Sequence, residues 1–274
     1  MTDWLLWSGT IGLESPIDAR IEAAVATGYS RVSVSPLDVF RAEEAGVSAR
    51  ALGRRFAAAG LGVVVDPIMN WYAGTPSAGS RFSRFPAGEA LRMCSDLGAV
   101  SATAIAQYAG QALPDDVVER FAALCDQASG IGMDVHLEFT ALHAIDSLRC
   151  AWDIVAGADR ANGGLVFDTW HFFRTDPDFD LLATIPGDRI LCVQVDDGAD
   201  QAVGTMRDDT LNRLLPGDGD FDLVRVMRVL DGIGGLAWVG PEVISPAMAA
   251  MAPVEAAGVA KARIESIIEE ARSA

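Results

Sequence analysis

The sequence is short of cations. Against 38 acidic residues it sets 21 lysines and arginines, a formal net charge of −17, and the deficit runs along the whole chain. Binding to a nucleic-acid backbone needs Lys and Arg to neutralise phosphates, so that class of partner is not expected. Lysine is nearly absent: Lys261 stands alone, in the last expected helix, which leaves a Schiff-base mechanism almost without a nucleophile. Histidine is scarce as well. His136, His143 and His171 are too few for a multi-zinc site built on imidazole. Cys94, Cys125, Cys150 and Cys192 lie far apart, form no metal or redox pair, and suit reduced thiols in a cytoplasm. No stretch approaches the roughly 20 consecutive apolar residues of a membrane span. The N-terminus lacks the basic start and long apolar run of a signal peptide. Together these point to a cytoplasmic protein with small-molecule partners, no nucleic acid and no membrane.

What is present is ample core material, 50% hydrophobic residues, cut into short apolar and often β-branched runs. Trp4–Thr10, Arg31–Pro36, Leu61–Pro67, Val100–Gln107, Met133–Thr140, Leu165–Asp168, Arg189–Asp197 and Leu236–Glu242 read as strands. Helical stretches stand between them: Pro16–Thr27, Ser48–Ala59, Ala87–Leu97, Pro114–Ser129, Ile145–Val155, Pro177–Ala183 and Phe221–Leu230, with Val254–Arg272 after the last strand. Segments 69–85 and 198–219 read as long loops. Strands apolar on both faces are those of a parallel sheet covered on both sides. Eight strand–helix units in about 250 residues match a (β/α)₈ TIM barrel. The expectation is a single α/β domain over 1–274. A doubly wound open sheet is the alternative, but it would want a Gly-rich phosphate loop after an early strand, and none is found.

The stretch Gly164–Arg174 organises the rest. Asp168 falls where an apolar strand stops, and Trp170 and His171 follow in what reads as loop. Taken alone, Asp168 could simply cap the next turn. It has company, however. On a barrel Glu138, Asp168, Gln194 and Glu242 all sit at the carboxyl ends of strands five to eight, where such folds collect their chemistry. Three neighbouring carboxylates repel unless protons or a cation intervene. One divalent metal resolves the conflict, and four oxygen donors favour a hard ion, Mn²⁺ or Mg²⁺, with Co²⁺ a further candidate.

Leu137-Glu138-Phe139, Phe167-Asp168 with His171, Val193-Gln194 with Asp197, Arg213 before Pro216-Gly217-Asp218-Gly219, and Pro241-Glu242 together resemble the xylose isomerase-like TIM barrels. That superfamily of sugar isomerases, epimerases and related dehydratases covers essentially the whole chain. The resemblance implies Glu138, Asp168, Gln194 and Glu242 as metal ligands, and His171 and Arg213 as substrate contacts. Many members carry His at the position of Gln194; the Gln form resembles 3-dehydroshikimate dehydratases. Asp218 departs from the usual Glu.

The chemistry that fits is proton removal next to a carbonyl, with the metal holding a hydroxy-ketone and stabilising its enediolate. Glu138, Glu242 or His171 would move the proton. The expected function is a divalent-metal-dependent isomerase or epimerase of a sugar or cyclic hydroxy-ketone. A dehydratase (lyase) of the 3-dehydroshikimate or inosose type is the alternative, and a non-catalytic small-molecule-binding barrel a second. Arg213 could clamp an anionic group bidentately or make a surface ion pair. His143 reads as a loop histidine without a catalytic role, His136 as a core histidine or a partner of Glu138 on one strand face, and Asp197 as a carboxylate orienting a neighbour. Trp7, Trp71, Tyr72, Tyr108, Phe139, Trp170 and Phe172 fall near strand ends. Trp71, Tyr108 and Trp170 are the expected substrate-facing aromatics and would suit a cyclic ketone. Apolar positions of the last helix suit a homodimer.

Overall fold

The computed structural model describes residues 2–72, 84–107 and 112–273. Eight parallel strands close into a barrel in sequence order. They are β1 (Asp3–Leu6), β2 (Arg31–Val34), β3 (Gly62–Ile68), β4 (Ser101–Ile105), β5 (Asp134–Glu138), β6 (Gly163–Asp168), β7 (Ile190–Val195) and β8 (Trp238–Pro241). Every residue of β4 and β6 is buried, as expected of strands covered on both faces.

By internal contacts the chain divides into two units, Ser33–Val166 and Met1–Val32 with Phe167–Ala274. Both divisions fall inside strands, β2 and β6, so each unit is a run of consecutive barrel strands. In the unit Ser33–Val166, β4 pairs with β5 from Ser101↔Asp134 to Ile105↔Glu138, and β5 with β6 from Val135↔Gly163 to Glu138↔Val166. Its core joins aliphatic residues such as Val63, Ile68, Val135, Leu137 and Leu165 to Phe56, Phe121 and Phe139.

In the other unit, β1 pairs with β8, and β7 with β8, the latter from Val193↔Val239 to Val195↔Pro241. Gly240 is required here. A Cβ on it would stand 1.6 Å from the Leu5 carbonyl oxygen, so only glycine lets β1 lie this close. The helix Pro253–Ser273 packs against Ile17–Ala26 and Leu223–Ile233. It buries Ala256, Ala257, Ala260, Ile264, Ile267 and Ile268 there. The apolar positions that suggested a homodimer are thus used within the chain.

Several elements were not expected. A helix spans Pro36–Glu44 directly after β2, started by a capping box in which Ser35 and Asp38 serve each other's backbone N–H. The segment read as loop after Asp168 is a helical turn, Thr169–Arg174, because the Asp168 side chain accepts from the His171 N–H and so caps it. Short helices Met206–Thr210 and Pro246–Ala250 interrupt the loops after β7 and β8. No helix among the described residues is long and apolar enough to cross a membrane.

Candidate active site

The carboxyl end of β6 and the segments after β7 and β8 converge on one guanidinium. Asp168 is fully buried. Its Oδ1 accepts from the His171 N–H at 2.8 Å and its Oδ2 from Arg213 Nη1 at 2.7 Å. The turn-cap reading of Asp168 therefore holds, and the same carboxylate also engages Arg213. Burial alone would raise its pKa, but the charges of Arg213 and His171 outweigh that and hold it below the usual carboxylate value.

Arg213 is 3% exposed, so the surface ion pair weighed for it does not occur. The same Nη1 also contacts an Asp196 carboxylate oxygen, the Glu242 carbonyl at 3.3 Å and Glu242 Oε2 at 3.4 Å. Nη2 reaches Thr210 Oγ1 at 3.3 Å and His171 Nε2 at 3.4 Å. The guanidinium carbon lies 5.2 Å from the centre of the Trp170 ring, a cation–π distance. Trp170 in turn packs edge-on to His171, ring centres 5.0 Å apart.

Asp196 was not among the expected site residues. It is fully buried at the end of β7 and is tied to Thr169 in both directions. Thr169 Oγ1 donates to Asp196 Oδ1 at 2.7 Å, and the Asp196 N–H donates to Thr169 Oγ1 at 2.9 Å. Burial, then repulsion from Asp168, push Asp196 up to about 8 against the pull of Arg213. A signal was available. Side chains alternate along a strand, so Gln194 and Asp196 share a face of β7 that Asp197 does not.

Asp197 acts through the backbone. Its Oδ1 accepts from the N–H groups of Gly198 and Phe221, its Oδ2 from those of Gly217 and Gly219. Asp197 and Leu214 also exchange backbone hydrogen bonds at 3.0 and 2.9 Å, next to Arg213. A Cβ on Gly219 would come within 2.4 Å of Asp197 Oδ1, so glycine is needed for the wrap. The neighbour that Asp197 orients is the Pro216–Gly219 loop and, through it, Arg213.

Gln194 is fully buried in β7, and neither its Oε1 nor its Nε2 has a hydrogen-bond partner. Burying an amide unpaired costs roughly 1–3 kcal/mol per group, so a ligand is wanted there. Glu242 follows β8, 8% exposed. The turn that carries it is pinned by Thr10, whose hydroxyl donates to Pro241 O at 2.7 Å and accepts from the Val243 N–H at 3.1 Å.

In the unit Ser33–Val166, Glu138 ends β5 opposite Val166 of β6, two residues before Asp168. Trp71 is 8% exposed. It donates its indole N–H to the Ile105 carbonyl at 3.0 Å and packs edge-on against Tyr72 and Phe121. Tyr108 lies outside the described residues. Trp7, Phe139, Trp170 and Phe172 are fully buried, so these four belong to the packed interior rather than to a rim. His143 is buried against Thr140, and burial pushes it down to about 4.

The xylose isomerase-like TIM barrel family model matches residues 21–269. The chain belongs to that family. Among curated relatives, an inosose isomerase of Bacillus velezensis is 30% identical over 149 residues, 54% of this chain and 52% of that protein. A 3-dehydroshikimate dehydratase of Pseudomonas aeruginosa is 26% identical over 219 residues, 78% of this chain and 34% of that protein. The chain thus spans about half of the first relative's length and about a third of the second's. Among solved structures, an IolI protein with a bound zinc atom superimposes with a TM-score of 0.83 at 20% identity, covering 98% of this chain and 99% of that one. An L-ribulose 3-epimerase gives 0.73 at 18% identity, covering 100% and 96%. At such identities these two likenesses speak for the barrel alone. By name, the two curated relatives are an isomerase and a dehydratase.

Proposed function

We propose that the protein is a divalent-metal-dependent isomerase or epimerase of a polyhydroxy or cyclic ketone, working by proton transfer at the carbon next to the carbonyl. The observation that carries this reading is Gln194. It is an amide with two buried, unpartnered polar atoms, in the strand that follows Asp168. Glu138, Asp168, Gln194 and Glu242 would hold the ion, and His171, whose N–H donates to the Asp168 carboxylate, is the further candidate for a place. The donor set is mostly carboxylate oxygen, which fits Mn²⁺ or Mg²⁺ and admits Co²⁺. When bound, the cation supplies compensation for negative charge developing on the substrate's carbonyl oxygen.

The chain's own residues do the rest. Glu138 or Glu242 takes the proton from the carbon; the same carboxyl returns it to the neighbouring carbon for isomerisation, while for epimerisation the other, protonated, delivers one to the opposite face. His171, held by the Asp168 cap and backed by Trp170, moves a proton at a substrate oxygen. Arg213, fixed among Asp168, Asp196 and Glu242, keeps the carboxylates together and presents Nη2 beside His171. Buried surroundings keep water from the carbanion-like centre.

A dehydratase remains the second reading, favoured by the 78% of the chain that aligns with the 3-dehydroshikimate dehydratase. The test is a substrate panel of inososes, ketoses and 3-dehydroshikimate, followed by NMR after metal removal and after restoring Mn²⁺, Mg²⁺ or Co²⁺. Metal-dependent conversion of a ketone to its isomer supports the first reading, and an enone product the second. Tight ligand binding without any turnover would replace both with a binding protein.

A further inference from the structure

One nearly buried ion pair has no part in the chemistry above. Arg174 Nε donates to Asp209 Oδ2 at 2.6 Å, and the two side chains are 6% and 5% exposed. Arg174 ends the helical turn Thr169–Arg174, and Asp209 lies in the short helix Met206–Thr210 of the loop after β7. The pair therefore fastens that loop to the turn that follows Asp168. Arg174 Nη2 also donates to the Ala199 carbonyl at 2.7 Å, and Asp209 Oδ1 accepts from the Val203 N–H at 2.8 Å. One guanidinium and one carboxylate thus tie the loop at residues 199, 203 and 209. The guanidinium also lies against Phe221, 4.9 Å from its carbon to the ring centre.

Stability alone is a weak reason for such a pair. Taking two charges out of water is costly, and an apolar pair of similar volume commonly holds two segments together as well. What the ion pair adds is direction, because a planar fork and a two-oxygen acceptor meet in few arrangements. That direction has a use one residue further on. Thr210 follows Asp209, and its hydroxyl accepts from Arg213 Nη2 at 3.3 Å. Arg213 Nη1 is taken by the carboxylates of Asp168, Asp196 and Glu242. Nη2 meets Thr210 and His171, so Thr210 sets where Nη2 stands. His171 and Arg174 are three residues apart on one helical turn and share a side of it. The turn that carries His171 thus also fixes, through Arg174 and Asp209, the hydroxyl that faces Arg213.

We propose that Arg174 and Asp209 are positioning residues: their ion pair seats the loop after β7 so that the Thr210 hydroxyl holds Arg213 Nη2 beside His171. The kinetic consequence rests on the function proposed above; the placement of Arg213 does not.

The test uses the full chain. Hydrogen–deuterium exchange over residues 199–212, read by mass spectrometry, follows the loop. The signal of the buried Arg213 Nε–H in ¹⁵N-arginine spectra, assigned with Arg213→Lys, follows the guanidinium. Arg174→Met should raise exchange over the loop about tenfold or more and shift the Arg213 signal. It should also lower kcat about tenfold with KM within about twofold, since misplacing a group by about 1 Å costs up to about a hundredfold. Asp209→Asn, which keeps an acceptor for Val203 but turns an NH₂ towards Arg174, should do the same, and it replaces Arg174→Met should that variant not fold. Thr210→Val should shift the Arg213 signal and lower kcat without raising exchange over the loop, and Thr210→Ser should restore both. In Arg174→Met/Thr210→Val the losses in kcat should not multiply, because both act through one contact. An Arg213 signal unmoved in both Arg174→Met and Asp209→Asn, faster loop exchange with wild-type kcat, losses that multiply, or failure of Ser to restore the signal would each overturn the proposal. If no ketone in the panel turns over, the functional reading falls while loop exchange and the Arg213 signal still decide this one.

Discussion

Asp197→Asn isolates the device that places Arg213. The substitution keeps the side chain's shape and an oxygen for the N–H groups of Gly198 and Phe221. It sets an NH₂ against the N–H groups of Gly217 and Gly219, which Oδ2 accepts at 2.9 and 3.0 Å in the wild type. Two half-buried donors then face a donor. At roughly 1–3 kcal/mol for each unsatisfied group, with some relief from water, the cost is about 2–4 kcal/mol. Unfolding entropy near 2 cal/mol/K per residue converts that to a fall in Tm of about 4–7 °C for a chain of this length. Because Leu214 exchanges backbone hydrogen bonds with Asp197, Arg213 should lose its seat as well. Turnover should therefore drop more than the loss of folded protein explains. Differential scanning fluorimetry with kinetics at a temperature where both proteins are folded measures the two effects. Wild-type Tm together with wild-type kcat would refute the reasoning. A lowered Tm with unchanged kcat would refute the link to Arg213.

Arg213→Met should destabilise the protein by about 3–5 kcal/mol in urea, because it strands Asp168 buried without its cation; a change below about 1 kcal/mol would show that this carboxylate is neutralised otherwise. Gln194→Leu should weaken Mn²⁺ binding at least tenfold by calorimetry while leaving stability in chelator equal or higher, since neither amide atom has a protein partner to lose; lowered stability without lowered metal affinity would make Gln194 a structural residue. His143 is pushed down to about 4 from an ordinary 6.5. The unfolded chain therefore binds the proton first, and its stabilisation is lost as pH falls from 6.5 towards 4, up to about 3 kcal/mol. Stability measured against pH should fall less steeply over that window in His143→Gln than in the wild type, and parallel curves would contradict the assignment.

The barrel was legible because its strands announce themselves. Runs such as Val63-Val-Val65 and Leu165-Val-Phe167 are apolar on both faces, and a parallel sheet covered on both sides is where such runs belong. Glu138, Asp168, Gln194 and Glu242 were legible for a related reason: each breaks an apolar strand at its carboxyl end. The helix Pro36–Glu44 carries its start signal in Ser35-Pro-Leu-Asp38, a capping box hidden by the strand that runs into it. The turn Thr169–Arg174 is too short to show a helical period and exists because Asp168 caps it. The seat of Arg213 was the least accessible part. It depends on Asp197 gathering backbone N–H groups as far as 24 residues away, and backbone donors leave no mark in a sequence. Asp196 lay open to the strand's period of two, but a pair of adjacent aspartates hides which one faces inward.

The most direct measurement is solvent deuterium incorporation at the carbon next to the ketone of an inosose, followed by NMR in D₂O with and without chelator. Incorporation should occur with Mn²⁺ or Mg²⁺, stop when the metal is removed and return when it is restored. Glu138→Gln and Glu242→Gln, at the two carboxylates offered as bases, should each slow incorporation at saturating metal. Incorporation that is indifferent to chelator, or that survives in both variants at the wild-type rate, would contradict this chemistry.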